Sequence, residues 1–140
     1  MNTFEISLPR KLTNQLLHQA LLCPEQEICG LIGADATGLP SSCYPISNHA
    51  DNPRNQFLLD AQQQIAAMQT MRSKQEQLFA IYHSHPTTPA FPSHADLKQT
   101  AYPEALQIII SLSTKGILEL RAFRCSEHTA HELNINLIEA

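Results

Sequence analysis

Three of the chain's seven histidines fall within twelve residues, in the run Tyr82-His83-Ser84-His85-Pro86-Thr87-Thr88-Pro89-Ala90-Phe91-Pro92-Ser93-His94-Ala95-Asp96. In an extended backbone, side chains alternate and each residue rises roughly 3.3 Å, so His83 and His85 point to the same side about 7 Å apart. Two imidazoles so placed can converge on one ion. Pro86, Pro89 and Pro92 stiffen the segment that follows and deliver Asp96 to the first turn of a helix, where its carboxylate can close the site as a third ligand. Two histidines and one carboxylate form an open set for zinc, leaving the fourth tetrahedral position to water. Zinc lowers the pKa of such a water to about 7 and polarises a substrate carbonyl, though a general base is still needed. The same residues also have a plainer reading. His83 and His85 can be ordinary loop histidines, and Ser93-His94-Ala95-Asp96 can be a capping box in which hydroxyl and carboxylate serve the helix end. Spacing alone does not choose between the two.

These residues must be held by a scaffold, and the pattern around them predicts one. Leu78 to Tyr82 reads as a buried strand leading into the histidines, and Ser93 begins a short helix that Pro103 must end. Upstream, Leu12, Leu16, Leu17, Ala20 and Leu21 recur at helical spacing after Pro9, and Pro24 stops that helix. Glu27 to Ile32 reads as a strand closed by Gly33, and Ser41 to Ser47 as a weaker one. After a polar loop from Asn48 to Asn55, Asp60 and Gln63 resemble a capping box that opens a second helix running to about Gln75. Leu106 to Leu112 is expected as a central strand. Ile117 to Phe123 follows a Lys115-Gly116 turn, and Leu133 to Ile138 alternates well enough for an edge strand. The expected fold class is α/β, a mixed β-sheet flanked by helices, and the expected organisation is a single domain over residues 1–140.

Composition narrows the function. At 140 residues and 43% hydrophobic, the chain can bury a core of ordinary size, and a formal charge of -4 leaves no basic field for a phosphate backbone. Nucleic acid is not an expected partner. The longest apolar stretches, such as Gln107 to Leu112, fall far short of the roughly 20 residues a membrane helix needs, so no membrane association is expected. The opening MNTFEISLPRKL shows no signal-peptide pattern. Cys23, Cys29, Cys43 and Cys125 form no C-x-x-C pair, which points to small buried hydrophobes in a reduced, cytoplasmic setting.

The run His83-Ser84-His85-Pro86, continued to Ser93-x-x-Asp96, resembles the JAMM signature of the MPN+ metalloproteases position by position. Glu27-Ile28-Cys29-Gly30-Leu31-Ile32-Gly33 is similar to the strand in which that family carries its catalytic glutamate. Phe57-Leu58-Leu59-Asp60, Ala101-Tyr102-Pro103 and the Ile108 to Ser111 strand extend the likeness from about Phe4 to Phe123. The resemblance implies a JAMM/MPN, cytidine-deaminase-like architecture of the compact stand-alone prokaryotic type. It implies one Zn2+ per chain held by His83, His85 and Asp96, with Glu27 moving the proton from water to the leaving amine and Ser93 donating to the oxyanion. Periodicity does not select Glu27 over Glu25, Asp60, Glu76 or Glu104; only the family match does. Ser84 is expected to point away from the ligands toward backbone, and His94 outward, while His18, His49, His128 and His131 lack a ligand-spaced partner.

The function implied is hydrolysis of amide or isopeptide bonds at the Gly-Gly tail of a ubiquitin-like or sulfur-carrier protein. The competing reading is a non-catalytic MPN module used as a scaffold or for dimerisation, but such modules usually lack the metal motif that is complete here. A zinc nucleobase deaminase is excluded because its H-x-E and P-C-x-x-C signatures are absent. Oligomeric state is not encoded in any of these patterns.

Overall fold

The computed structural model describes residues 4–98, 102, 104–113, 118–126 and 128–139. Its elements, in chain order, are β1 (Glu5–Pro9), α1 (Arg10–Leu22), β2 (Cys29–Ala34), β3 (Pro40–Ile46), α2 (Ala61–Ser73), β4 (Gln77–His85), α3 (His94–Lys98), β5 (Leu106–Ser111), β6 (Glu119–Cys125) and β7 (Ala130–Ile138). The strands form one sheet in the order β1-β7-β6-β5-β4-β2-β3. β1 runs parallel to β7 and β4 parallel to β5, while the remaining neighbours are antiparallel. The expected mixed α/β sheet is therefore present.

The two faces of this sheet explain where the site lies. On one face, α1 presents Leu12, Leu16 and Ala20 to Ile32, Ala80, Tyr82, Ile108 and Ile110. The outer strands β1 and β3 both touch α1 and also approach each other, so the sheet curls around that helix. On the other face, Ala67 and Met71 of α2 pack on Cys29, Leu31 and Ile81. Because side chains alternate along a strand, Ala80, Tyr82 and Ser84 face α1, and Ile81, His83 and His85 face the α2 side. Gly30, opposite Tyr82 on the paired strand, makes room for the phenol: a Cβ there would sit 2.5 Å from Tyr82 Cζ. The Tyr82 hydroxyl donates to Gln19 of α1 at 2.5 Å, fastening helix to sheet.

Most expected elements fall within a few residues of their structural limits. Two differ. Leu133 to Ile138 is not an edge strand, because β1 pairs along its free side from Glu5↔Asn134 to Pro9↔Ile138. β1 itself is an added strand. The strand before the histidines also extends through them, so both ligand candidates sit within the hydrogen-bonded ladder, paired to Ile109 and Ser111 of β5. The Lys115-Gly116 turn and Pro103 lie outside the described residues. The Asp60 cap is half of a capping box: its side chain accepts from Gln63 N at 2.8 Å, but the Gln63 amide turns to Ser47 instead.

Candidate active site

The ladder that carries His83 and His85 brings their rings together. His83 Nε2 lies 3.2 Å from His85 Nε2, and Asp96 Oδ2 lies 3.1 Å from each. All three residues are buried. The segment between them is fixed at several points: the Thr88 carbonyl accepts from Ser111 Oγ at 2.7 Å, and the Pro89 carbonyl from His85 Nδ1 at 2.8 Å. Ser93 and Asp96 then form the full reciprocal cap, with Ser93 N donating to Asp96 Oδ2 and Asp96 N to Ser93 Oγ. The plainer reading of S-x-x-D is thus correct as far as it goes, and the same carboxylate oxygen also faces both imidazoles.

Glu27 arrives from the loop before β2. Its backbone N donates to the Pro53 carbonyl at 2.8 Å, and its carbonyl accepts from Asn48 Nδ2 at 3.0 Å. The adjoining Ile28 is tied twice to Ser84: Ile28 N donates to Ser84 Oγ at 2.8 Å, and Ser84 N donates to the Ile28 carbonyl at 3.0 Å. Ser84 therefore faces away from the rings, as expected, and joins the Glu27 segment to the strand bearing the histidines. One side-chain ligand atom from each of Glu27, His83, His85 and Asp96 falls within 4.8 Å of the others.

This donor set fits a small cation. Bonds of 2.0–2.1 Å at tetrahedral angles place ligand atoms roughly 3.3 Å apart, and the three observed separations are 3.1–3.2 Å. His85 Nδ1 donates to Pro89, which fixes the tautomer that leaves a lone pair on Nε2. Phe57 stacks on His83 with centroids 4.4 Å apart and holds the ring in place. Glu27 Oε1 is buried without a hydrogen-bond partner among the described residues, as is His83 Nδ1.

Electrostatics follow from burial. Desolvation pushes the Glu27 carboxyl up to about 8, with His85 opposing and Asp96 adding to the rise. Burial also lowers His83. At His85, burial is outweighed by the hydrogen bonds to Asp96 and Pro89, and the pKa rises. Burial alone would raise Asp96, but its bonds to the two histidines hold it well below the usual carboxylate range. A buried carboxyl with its pKa brought near neutrality is suited to accepting and returning a proton.

A cavity of about 340 Å³ opens onto this cluster, lined on its sides by Glu27 with Arg54, Asn55 and Gln56, by His85 to Thr88, and by Ser93 to Ala95. Ser93 and His94 are exposed to it. Sequence reasoning missed Asn48, whose amide also bonds Gln56 and the backbone of Ala50 and Leu58, and missed Arg54. Both sit in the Asn- and Pro-rich loop, where Asn is a common turn-former. No ligand spacing distinguishes them there.

A curled mixed sheet with paired histidines at the end of a central strand, a capped aspartate beside them and a glutamate from the loop before the adjoining strand defines a JAB/JAMM-type protein. A pattern for prokaryotic homologs of the JAB domain matches residues 9–126, and the chain belongs to that family. It is 29% identical over 129 residues to the CysO-cysteine peptidase of Mycobacterium tuberculosis, covering 91% of this chain and 88% of that one. A solution structure from Desulfitobacterium hafniense matches with a TM-score of 0.84 at 29% identity, over 96% of this chain and 93% of that one. A JAB1/MPN domain protein from Archaeoglobus fulgidus shares the fold, with a TM-score of 0.60 at 16% identity over 94% and 98% of the two chains.

Proposed function

We propose that the chain is a zinc-dependent hydrolase of amide or isopeptide bonds at the Gly-Gly C-terminus of a ubiquitin-like, sulfur-carrier protein. The observation that carries this reading is the buried convergence of Glu27, His83, His85 and Asp96 at the wall of an open cavity. His83, His85 and Asp96 hold one zinc, and when bound it supplies Lewis-acid polarisation and hydroxide near neutral pH. Glu27 accepts the proton from the attacking water and passes it to the amine as the C–N bond breaks. Ser93 Oγ accepts from Asp96 N, so its own hydrogen is free to donate to the carbonyl oxygen as charge develops there. The peptidase name of the mycobacterial relative supports the reaction class. No described helix is long and apolar enough to cross a membrane.

The test is to incubate the zinc-loaded chain with sulfur-carrier proteins extended beyond Gly-Gly and to weigh the products by mass spectrometry. Release of the extension after the second glycine, abolished by chelation, is the expected result. Intact carriers in the presence of stoichiometric zinc would overturn the reading.

A further inference from the structure

The cavity wall that carries Glu27 also carries a cation without an ion-pair partner among the described residues. Arg54 is exposed, lines the cavity and forms no ion pair with any described residue. Its nearest companions on that wall, Asn55 and Gln56, are neutral. The turn bearing it is nonetheless well held: Gln56 N donates to the Asn52 carbonyl at 3.1 Å, and Asn48 Nδ2 donates to the Gln56 carbonyl at 2.9 Å. Pro53, the residue before Arg54, accepts the Glu27 backbone N–H. The backbone of Arg54 is thereby held one residue from the contact that positions Glu27, and its side chain starts from a fixed point on the cavity wall.

This placement bears on the leaving group, and it rests on the hydrolase reading above. If Glu27 returns its proton to the departing amine, the group attached to that amine lies along the Glu27 wall, beside Arg54. An α-amino acid leaving there has a carboxylate two bonds from its nitrogen. A lysine side chain released from an isopeptide has only methylenes at that place. A planar guanidinium matches a carboxylate through two parallel N–H···O bonds and gains nothing comparable from a methylene stem. We infer that Arg54 recognises the free α-carboxylate of the residue cleaved off, so that the preferred substrate is a carrier tail extended by a C-terminal amino acid. Arg54 is then a specificity-determining residue of the site.

Two peptides ending in Gly-Gly-Ala, one with a free C-terminal carboxylate and one amidated, test this on the zinc-loaded full chain. The native chain is expected to favour the acid about tenfold in kcat/KM, less at high salt because Arg54 is exposed, and Arg54→Gln to bring the ratio close to one. NMR titration of the same peptides into the metal-free chain gives a second reading without turnover, and there the acid is expected to bind about tenfold tighter only when Arg54 is present. Equal rates for acid and amide in the native chain, or a preference that persists in Arg54→Gln, overturn the inference and leave the hydrolase standing. Failure to cleave either peptide while a Gly-Gly isopeptide to lysine is cut also overturns it. Failure on all three substrates overturns the hydrolase reading and the inference with it.

Discussion

At the scale of single residues, the proposed function divides the site into His83, His85 and Asp96, which would hold a metal, and Glu27, which would move a proton. His85 has both ring nitrogens assigned by geometry, with Nδ1 on the Pro89 carbonyl and Nε2 facing Asp96. Under the proposed function that ring is one of three zinc ligands, so His85→Ala is expected to lose most of the proposed one zinc per chain while the fold survives, read by metal analysis alongside circular dichroism. Undiminished zinc in that variant would place the metal elsewhere. Glu27→Gln keeps the size of the side chain but not its basic oxygen, so zinc is expected to stay while turnover falls by at least about 10²-fold. Near-normal peptidase rates in zinc-loaded Glu27→Gln would assign the base to another group. The two kinds of residue were not equally legible in the sequence. H-x-H followed by a capped Asp announces itself through strand period and helix capping, which are local. Glu27 lies 56 residues before His83, and nothing local distinguishes it from the other acidic residues. Only the resemblance of Glu27 to Gly33 to a known pattern singled it out, and the cluster within 4.8 Å is consistent with that choice.

At the scale of elements, the decisive join is between β2 and β4. The antiparallel ladder from Cys29↔His83 brings the segment of Glu27 beside the histidines, and Ser84 extends that join one residue beyond the strand by bonding both backbone groups of Ile28. Ser84→Ala leaves the buried Ile28 N–H without its acceptor, a loss of about 1–3 kcal/mol in stability. The expected kinetic mark is a fall of about tenfold in kcat with zinc content and KM little changed, because the base shifts and the substrate wall does not. Ser84→Thr restores the hydroxyl and is expected to recover most of the rate. A loss of stability with kcat intact would make Ser84 structural only. Most of these elements could be read from periodicity, since α1 and the buried strands repeat their apolar residues at helical or strand spacing. β1 escaped because Glu5–Pro9 is short, with only Ile6 and Leu8 as apolar signal, and its partner β7 lies at the far end of the chain. β7 reads as an edge strand for the same reason: alternation reports which face is wet, not which neighbour covers the side.

At the scale of the whole molecule, the curl of the sheet around α1 leaves the opposite face to hold the site, between the 86–93 segment and the loop before α2. The first wall is held by the Ser111 bond to Thr88, the His85 bond to Pro89 and the cap at Ser93, and the second by Asn48 and the Pro53 contact with Glu27. Walls tied at this many points set a groove of fixed width, and a scissile bond reaches the buried histidines only if the chain bearing it is narrow and extended. Glycine suits such a passage because it has no side chain and allows close approach of backbone to backbone. The folded body of a carrier protein would then rest outside the cavity, with its two terminal glycines threaded between the walls. Replacing the last glycine of the tail by valine is therefore expected to reduce kcat/KM by about a hundredfold, through clash at the walls and displacement of the carbonyl from the attacking geometry. The comparison is made on two carriers that differ only at that residue, with the same extension, under conditions where substrate is far below KM. A valine tail cleaved as fast as the glycine tail would mean that the walls part to admit it, and would overturn the fixed groove while leaving the chemistry assigned to Glu27, His83, His85 and Asp96 untouched.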